Sequence, residues 1–428
     1  MTETSVYIVD GSRSPFLKAR GKPGPFQASD LAVSAARPLL MRQPFAPDEL
    51  DEVIVGCVGP SPDEVNIARV ISLRLRCGNK VPAWTVQRNC ASGMQAIDSA
   101  YTNILVGKSN LVLAGGAEAM SHSPVLYNRH MVNWLAQLNR SKTPLQKLQT
   151  ISKLRPKFFT PVIGLLKGLT DPVVGLAMGQ TAENLAHLFN LSRTDMDRYA
   201  VESHLRLVHA QEHEFLDEIE TAFDHNGNAY DHDDGVRPDS SIEKLAKLRP
   251  VFDQPFGTIT AGNSAQITDG AAFVILASEA AVNKHKLAVM GRLLASNWAA
   301  VDPRQMGLGP VHATVPMLAK QNLTINDIDY WELNEAFAAQ VLACVAAWKD
   351  ERYCQTHFGM DKAFGEIPHE QLNIDGGGIA LGHPVGASGA RIVHHALRVL
   401  HRNKAKYGVA TICIGGGQGG AVLVENLQ

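Results

Sequence analysis

"VQRNCASGMQAI", residues 86–97, carries a strand-like run into an amphipathic helix and leaves one cysteine at the junction. Met94, Ile97, Tyr101, Ile104 and Leu105 recur at helical spacing, with Ala91, Ser92 and Gly93 as the first turn. This places Cys90 at a helix N-terminus, where the positive end of the helix dipole favours thiolate, the reactive form. The alternative is a small buried hydrophobe, since free cysteine is among the most buried residues. The junction has an echo far downstream, where "HPVGASGARIV" (383–393) repeats Ala-Ser-Gly at a helix start. A second echo pairs "DELDEVIVG" (48–56) with "NDIDYWELN" (326–334): acidic residues, then a strand. Together they suggest a duplicated α/β unit whose halves present loops to one shared cleft.

The rest of the chain is organised in three textures. Residues 1–121 alternate short apolar runs with helical stretches, which reads as α/β layering. Residues 122–249 are more polar and include "HNGNAYDHDDGVRPDSS", expected to be a surface loop. From about 250 the α/β texture returns and closes on "YGVATICI" and "GGAVLVEN". Residues 1–121 and 250–276 are assigned to the first α/β domain and 277–428 to the second, with 122–249 as an inserted loop domain covering the site.

The 428 residues are 45% hydrophobic and 19% charged, an ordinary globular balance. A net charge of −2 gives no global attraction to nucleic acid or acidic lipid. Six cysteines (Cys57, Cys77, Cys90, Cys344, Cys354 and Cys413) without a CxxC pair read as reduced thiols, not a disulfide scaffold. "MTETSVYIVD" enters a strand almost at once, and no apolar run approaches the roughly 18 residues of a membrane span. The expected location is cytoplasmic.

Three further segments carry chemistry. "NIDGGGIALGHPVGASGAR" (373–391) sets His383 in a loop of six glycines, fixed by Pro384. A histidine near a thiol takes its proton and later donates to developing negative charge; the alternative is a tight loop with a satisfied histidine. "ATICIGGGQGG" runs Cys413 into a glycine turn that lacks the order of a dinucleotide or P-loop site. Its backbone N–H groups suit an oxyanion hole, though a simple turn is the alternative. "ELNEAFAAQ" (332–340) offers Asn334 to orient a water and Phe337 to wall a pocket, or merely a capped helix.

In order along the chain, "NCASGMQAI", "GGAEAMS", "KLRPVF…GTITAGNS…DGAA", "NEAFAAQ", "GGGIALGHPVGASGAR" and "CIGGGQGG" resemble the thiolases, over essentially the whole length. The resemblance implies the thiolase fold: two similar βαβαβαββ domains in five α-β-α-β-α layers, with an inserted loop domain. It implies 3-ketoacyl-CoA thiolysis through an acyl-Cys90 intermediate, with His383 as the activating base and Cys413 moving the substrate α-proton. One oxyanion hole would combine His383 with a water on Asn334; the other would use the N–H groups of Cys90 and Gly415. Coenzyme A is a substrate, and no metal or resident cofactor is implied. Its matching positions are Arg237 near the nucleotide, and Met178, Phe252, Met306 and Phe337 along the pantetheine tunnel. The family's pantetheine serine aligns with Ala265, leaving Ser264 one place earlier, and a histidine before the "MG" pair is Ala177. Homodimers or homotetramers are expected. Rivals are a biosynthetic acetoacetyl-CoA thiolase and, from another class, a non-catalytic acyl-CoA carrier or scaffold. A decarboxylating ketoacyl synthase would require a second histidine where this sequence has Asn334.

Between Ala119 and Thr170 there is no Asp or Glu but eight Lys or Arg. Met131, Trp134, Leu135 and Leu138 form one helical stripe; Leu145, Leu148, Ile151 and Leu154 form another. A solvated basic face, a peripheral membrane contact through 122–170 and a docking surface are all open readings. The segment resembles the extended loop of thiolases that serve as β-subunits of fatty-acid oxidation complexes, whose partner is a hydratase/dehydrogenase α-subunit. Those usually carry His in place of Asn334.

Overall fold

A computed structural model of the chain describes residues 5–427. In the first half, β1 (Val6–Arg13), β2 (Leu17–Lys18), β3 (Glu52–Gly56), β4 (Ala83–Val86) and β5 (Leu111–Ala119) precede two short pairs. Those pairs are β6 (Val125–Tyr127) with β7 (Pro161–Ile163), and β8 (Ala222–Phe223) with β9 (Ala229–Tyr230). Then come β10 (Thr268–Ser278), β11 (Gly291–Ala300), β12 (Tyr330–Leu333), β13 (Tyr407–Ile414) and β14 (Gln418–Asn426).

The long strands form one path in the order β12-β13-β14-β11-β1-β10-β5-β3-β4, joined at its centre by antiparallel pairing of β1 with β11. Strands of both halves read as unbroken apolar runs because both their faces are covered. All eleven residues of β10, for example, are buried.

Three cores define the layering. Helices Ala28–Met41 and Ile67–Arg74 cover one outer face, with Leu31, Leu39, Ile67 and Ile71 in the core beneath. Helices Gly309–Lys320 and Ala338–Lys349 cover the other, around Val311, Trp331 and Trp348. Between the two half-sheets lie helices Ser92–Leu105 and Ser388–Asn403, packed on each other and sharing a core of Met94, Ile97, Ile392 and Leu397. The result is the five-layered α-β-α-β-α arrangement of the thiolase fold. The sequence echoes mark it: β3 and β12 each follow a short 3₁₀ turn, and the two Ala-Ser-Gly helices are the central pair.

The expected surface loop 225–241 is only partly one. Asp233 is fully buried and takes both guanidinium nitrogens of Arg13, at 2.7 and 2.8 Å. Arg13 also donates to Glu218 at 3.0 Å, Glu218 meets His395 at 3.0 Å, and His395 meets Asp375 at 3.1 Å. A buried charge is tolerable only when paired, so this chain of ion pairs fastens the inserted segment to β1 and to the central helix Ser388–Asn403.

The basic segment folds as a helical hairpin, Arg129–Arg140 and Pro144–Ile151. Its apolar residues divide differently from the sequence stripe. Trp134 and Leu138 are half-buried, and Trp134 Nε1 donates to the Thr150 carbonyl at 2.8 Å, closing the hairpin. Val132, Leu135, Leu145, Leu148 and Ile151 are the exposed ones. Among the described residues no helix is long and apolar enough to cross a membrane.

Candidate active site

The site draws on strand ends from both halves of the sheet. Cys90 follows β4, Asn334 follows β12, and Cys413 is next to last in β13. Since β3 and β4 run parallel, as do β12 and β13, these are carboxyl ends, the side on which α/β sheets present their ligand sites.

The turn carrying Cys90 is made by Asn89, whose φ of 43° is a left-handed value that asparagine tolerates. Ser92 Oγ accepts from the Arg88 N–H at 2.9 Å and donates to the Asn89 carbonyl at 2.7 Å, closing the first turn. Asn89 Nδ2 reaches across to the Gly415 carbonyl at 2.7 Å, so the Cys90 turn and the glycine turn after Cys413 are tied together. The His383 loop is brought in by bare backbone. A Cβ on Gly116 would lie 1.9 Å from the Gly386 carbonyl oxygen, and one on Gly93 would lie 2.8 Å from it. Only glycine permits that approach.

Burial sets the protonation states. The N–H groups of Gly415 and of Cys90 itself bear on the Cys90 sulfur and favour thiolate, but desolvation outweighs them and pushes the thiol above its ordinary value. The helix end therefore does not by itself make Cys90 a thiolate; at rest it keeps its proton, in keeping with the expectation of an activating base. His383 is suited to be one. Desolvation pushes its imidazole down to about 4, so it is neutral at physiological pH. Its Nδ1 lies 2.6 Å from Ser388 Oγ. That hydroxyl donates to the Pro384 carbonyl at 3.1 Å, which can only accept. The hydroxyl therefore accepts from Nδ1–H, which leaves Nε2 with its lone pair. Cys413 is buried with its thiol pushed well above the usual range, first by desolvation and then by the neighbouring sulfurs of Cys90 and Cys344. A thiol of that kind holds its proton until a stronger base appears, such as a carbanion.

Two polar atoms here stand out. His383 Nε2 and Asn334 Nδ2 are both buried without a hydrogen-bond partner in the protein. Buried donors and acceptors are nearly always satisfied, and exceptions mark places where something else binds. Asn334 is held by its backbone N–H, which donates to the Thr411 carbonyl of β13 at 3.0 Å.

A cavity of about 560 Å³ opens at Cys90, lined also by Glu118, Met178, Val385, Gly415 and Gly416 and roofed by residues from 164 to 173. Among the residues expected along the tunnel, Met178 lines it, with its sulfur against Gly415. Phe252 and Phe337 meet edge to face at 6.4 Å, and the Ser264 backbone bridges to Phe337. Ser264 Oγ is taken by the Thr260 carbonyl at 2.7 Å. Met306 is buried in the outer core, and the Arg237 N–H donates to His204 at 3.2 Å with Lys18 close by. Phe252, Ser264, Phe337, Met306 and Arg237 do not line this cavity, and Asn334, His383 and Cys413 lie behind its wall. Among the described residues no group of three or more His, Cys, Asp or Glu could hold a metal ion.

Residues without a role in the sequence reading complete the site. Glu118 accepts the N–H groups of Val58 and Gly59 at 2.8 and 2.9 Å and that of Gly386, while burial pushes its carboxyl up to about 7. An acidic residue inside the otherwise apolar run "NLVLAGGAEAM" was the available signal. Asn89 and Ser388 had none beyond lying beside Cys90 and His383.

These features agree with comparison to known proteins. The family model "Thiolase, N-terminal domain" matches residues 6–280, and "Thiolase, C-terminal domain" matches residues 287–426. The solved structure of human mitochondrial 3-ketoacyl-CoA thiolase in complex with CoA superposes with a TM-score of 0.85, at 36% identity, covering 99% of this chain and 98% of that one. The chain belongs to the thiolase family. It is 36% identical to mitochondrial trifunctional enzyme subunit beta of Bos taurus, over 98% of this chain and 88% of that protein. It is 35% identical to 3-ketoacyl-CoA thiolase of Pseudoalteromonas translucida, over 98% of this chain and 97% of that protein.

Ser388→Ala removes the acceptor that holds Nδ1–H of His383. Acylation of Cys90, followed by stopped-flow release of CoA, should slow roughly tenfold to a hundredfold, part of what a positioned base contributes. An unchanged rate would mean that the tautomer is set in another way.

Proposed function

We propose that this thiolase is an acyltransferase that cleaves 3-ketoacyl-CoA with CoA, giving acetyl-CoA and an acyl-CoA two carbons shorter, as in fatty-acid β-oxidation. His383 Nε2 takes the thiol proton as the Cys90 sulfur adds to the C3 carbonyl. The oxyanion formed there points to the N–H groups of Cys90 and Gly415. The C2–C3 bond breaks, the acyl group stays on Cys90, and its electron pair becomes the enolate of acetyl-CoA. That enolate oxygen is met by protonated His383 and by a water on Asn334, and Cys413 gives its proton to C2. Acetyl-CoA leaves, and the thiol of CoA adds to acyl-Cys90 while its proton returns Cys413 to its starting state. The acyl–Cys90 bond breaks, the Cys90 sulfur takes back the proton held on His383, and the shortened acyl-CoA leaves. Negative charge arises at two oxygens in turn, so two sets of donors are required. The observation that carries this reading is the pair of buried, unpartnered atoms, His383 Nε2 and Asn334 Nδ2, in a site that also holds two thiols.

The two thiols separate experimentally. Brief incubation with acetyl-CoA should add one acetyl mass at Cys90, and Cys90→Ser should show none. Cys413→Ala should still be acetylated yet fail to exchange the α-protons of acetyl-CoA with deuterated water. An adduct at Cys57, Cys77, Cys344 or Cys354, or wild-type exchange in Cys413→Ala, would overturn these roles.

Support for cleavage of extended chains over condensation of two acetyl units comes from the names of the similar thiolases. The cavity at Cys90, which the CoA arm would share at Met178, has apolar wall for a chain longer than acetyl. Burial of one methylene is worth about 0.8 kcal/mol, so kcat/KM should rise roughly fourfold per added carbon until the cavity is full. A series of 3-ketoacyl-CoA substrates in which the four-carbon member is fastest would return the biosynthetic reading.

For the hairpin, we propose docking onto a companion hydratase/dehydrogenase subunit. Support comes from exposed Val132, Leu135, Leu145, Leu148 and Ile151 beside eight cations with no acidic residue between 119 and 170, and from the subunit name of the bovine relative. Arg140, Lys142, Lys147 and Lys153 replaced by Ser should lose a partner that co-purifies at low salt, since exposed charge is screened within about 8 Å at physiological ionic strength. Recovery of the same partner with that variant, or binding of anionic vesicles in place of any hydratase/dehydrogenase, would refute docking.

A further inference from the structure

Asn334 poses a problem of orientation. Its Nδ2 has no protein partner, so nothing at the tip of the side chain fixes where that amide points. What is fixed is the backbone on both sides of it. Leu333 is clamped by Asn373, whose Oδ1 accepts the Leu333 N–H and whose Nδ2 donates to the Leu333 carbonyl, both at 2.8 Å. On the other side stands Glu335, which is 1% exposed.

The Glu335 carboxylate accepts four hydrogen bonds. Tyr199 OH donates to Oε1 at 2.8 Å and Asn373 Nδ2 at 3.1 Å; Ser203 Oγ donates to Oε2 at 2.6 Å and the Ile379 N–H at 3.1 Å. The donors come from three places: helix Arg193–Glu212, the residue that clamps Leu333, and the glycine loop leading to His383. That loop is pressed onto the carboxylate, for a Cβ on Gly377 would lie 2.4 Å from Glu335 Cδ. A Cβ on Gly378 would lie 3.5 Å from the Asn334 side-chain oxygen. Four donors converging on one group require an acceptor-only carboxylate. Among the described residues no cation forms an ion pair with it, so its bonds to these loops alone balance its burial.

We propose that Glu335 is a positioning residue for proton transfer at the substrate α-carbon. It holds the Asn334 turn in place against the glycine loop, so that the Asn334 amide faces the enolate oxygen opposite His383, whose ring is held separately by Ser388. It touches neither Cys90 nor the glycine turn of Gly415, which serve the acyl carbonyl. The inference rests on the function proposed above and predicts a split between the two half-reactions.

Glu335→Gln keeps the shape but turns an NH₂ group toward two of the four donors. Exchange of acetyl-CoA α-protons with deuterated water should fall roughly a hundredfold, the loss expected when one oxyanion donor is misplaced. Acetylation of Cys90 by acetyl-CoA, read by intact mass, should stay within about threefold of wild type, and KM for CoA should not move. Glu335→Asp keeps the charge on a shorter arm and should show the same split, smaller; it decides the matter should the Gln variant not fold. Equal loss of both half-reactions would make Glu335 merely structural, and full exchange in a folded variant would remove it from the site. A wild-type enzyme that neither exchanges nor becomes acetylated would instead overturn the proposed function.

Discussion

The site depends on backbone approaching backbone between the two halves of the molecule. The helix that begins after Cys90 meets the loop after His383 through Gly93, Gly116 and Gly386, and the Cys90 turn is bound to the turn after Cys413 by Asn89 and Gly415. The first half supplies the Cys90 thiol, and the second supplies His383, Cys413, Asn334 and the Gly415 N–H, so neither half alone holds the full set. Bringing the central helices Ser92–Leu105 and Ser388–Asn403 into contact between the half-sheets is what assembles the site. A Cβ at any of those three glycines would lie within 3 Å of a neighbouring atom, so the loops would have to move apart.

Burial then does the electrostatic tuning. Desolvation raises both thiols and lowers His383, so these three groups are neutral at rest, with protons on sulfur and a lone pair on Nε2. Charge appears only as the reaction proceeds, and it appears in front of donors already in place, which is where such donors are worth most. The same burial has a consequence for acid stability. His383 and His394 are each pushed down from 6.5 to about 4 by desolvation. Between those two values the unfolded chain binds protons that the folded one refuses, so stability present above pH 6.5 is lost as the pH falls toward 4.

The duplicated architecture was legible because its signals are local. Paired acidic-then-apolar stretches and a repeated Ala-Ser-Gly at two helix starts each sit within a dozen residues, and they became β3, β12 and the central helix pair. Cys90, His383, Cys413 and Asn334 could be nominated because the motifs around them resemble those of the thiolases, the family to which the chain belongs. Glu118, Ser388 and Glu335 were not, because their meaning lies in partners far along the chain, such as Tyr199 and Ser203 for Glu335. Asp233 misled for the same reason: it sits in a turn-rich run, and only the fold shows Arg13 facing it. The Trp134 stripe was correctly helical, yet which of its sides met the second helix of the hairpin could not be read from spacing alone.

The central claim is that His383 Nε2 and Asn334 Nδ2 are left unpartnered by the protein because the enolate oxygen of the substrate uses them. A crystal structure of the Cys90→Ala variant with acetoacetyl-CoA tests this directly. The thioester oxygen should lie within about 2.6–3.2 Å of His383 Nε2, and should reach Asn334 Nδ2 directly or through one water. A thioester oxygen bound elsewhere, with those two atoms turned to protein groups, would contradict the account.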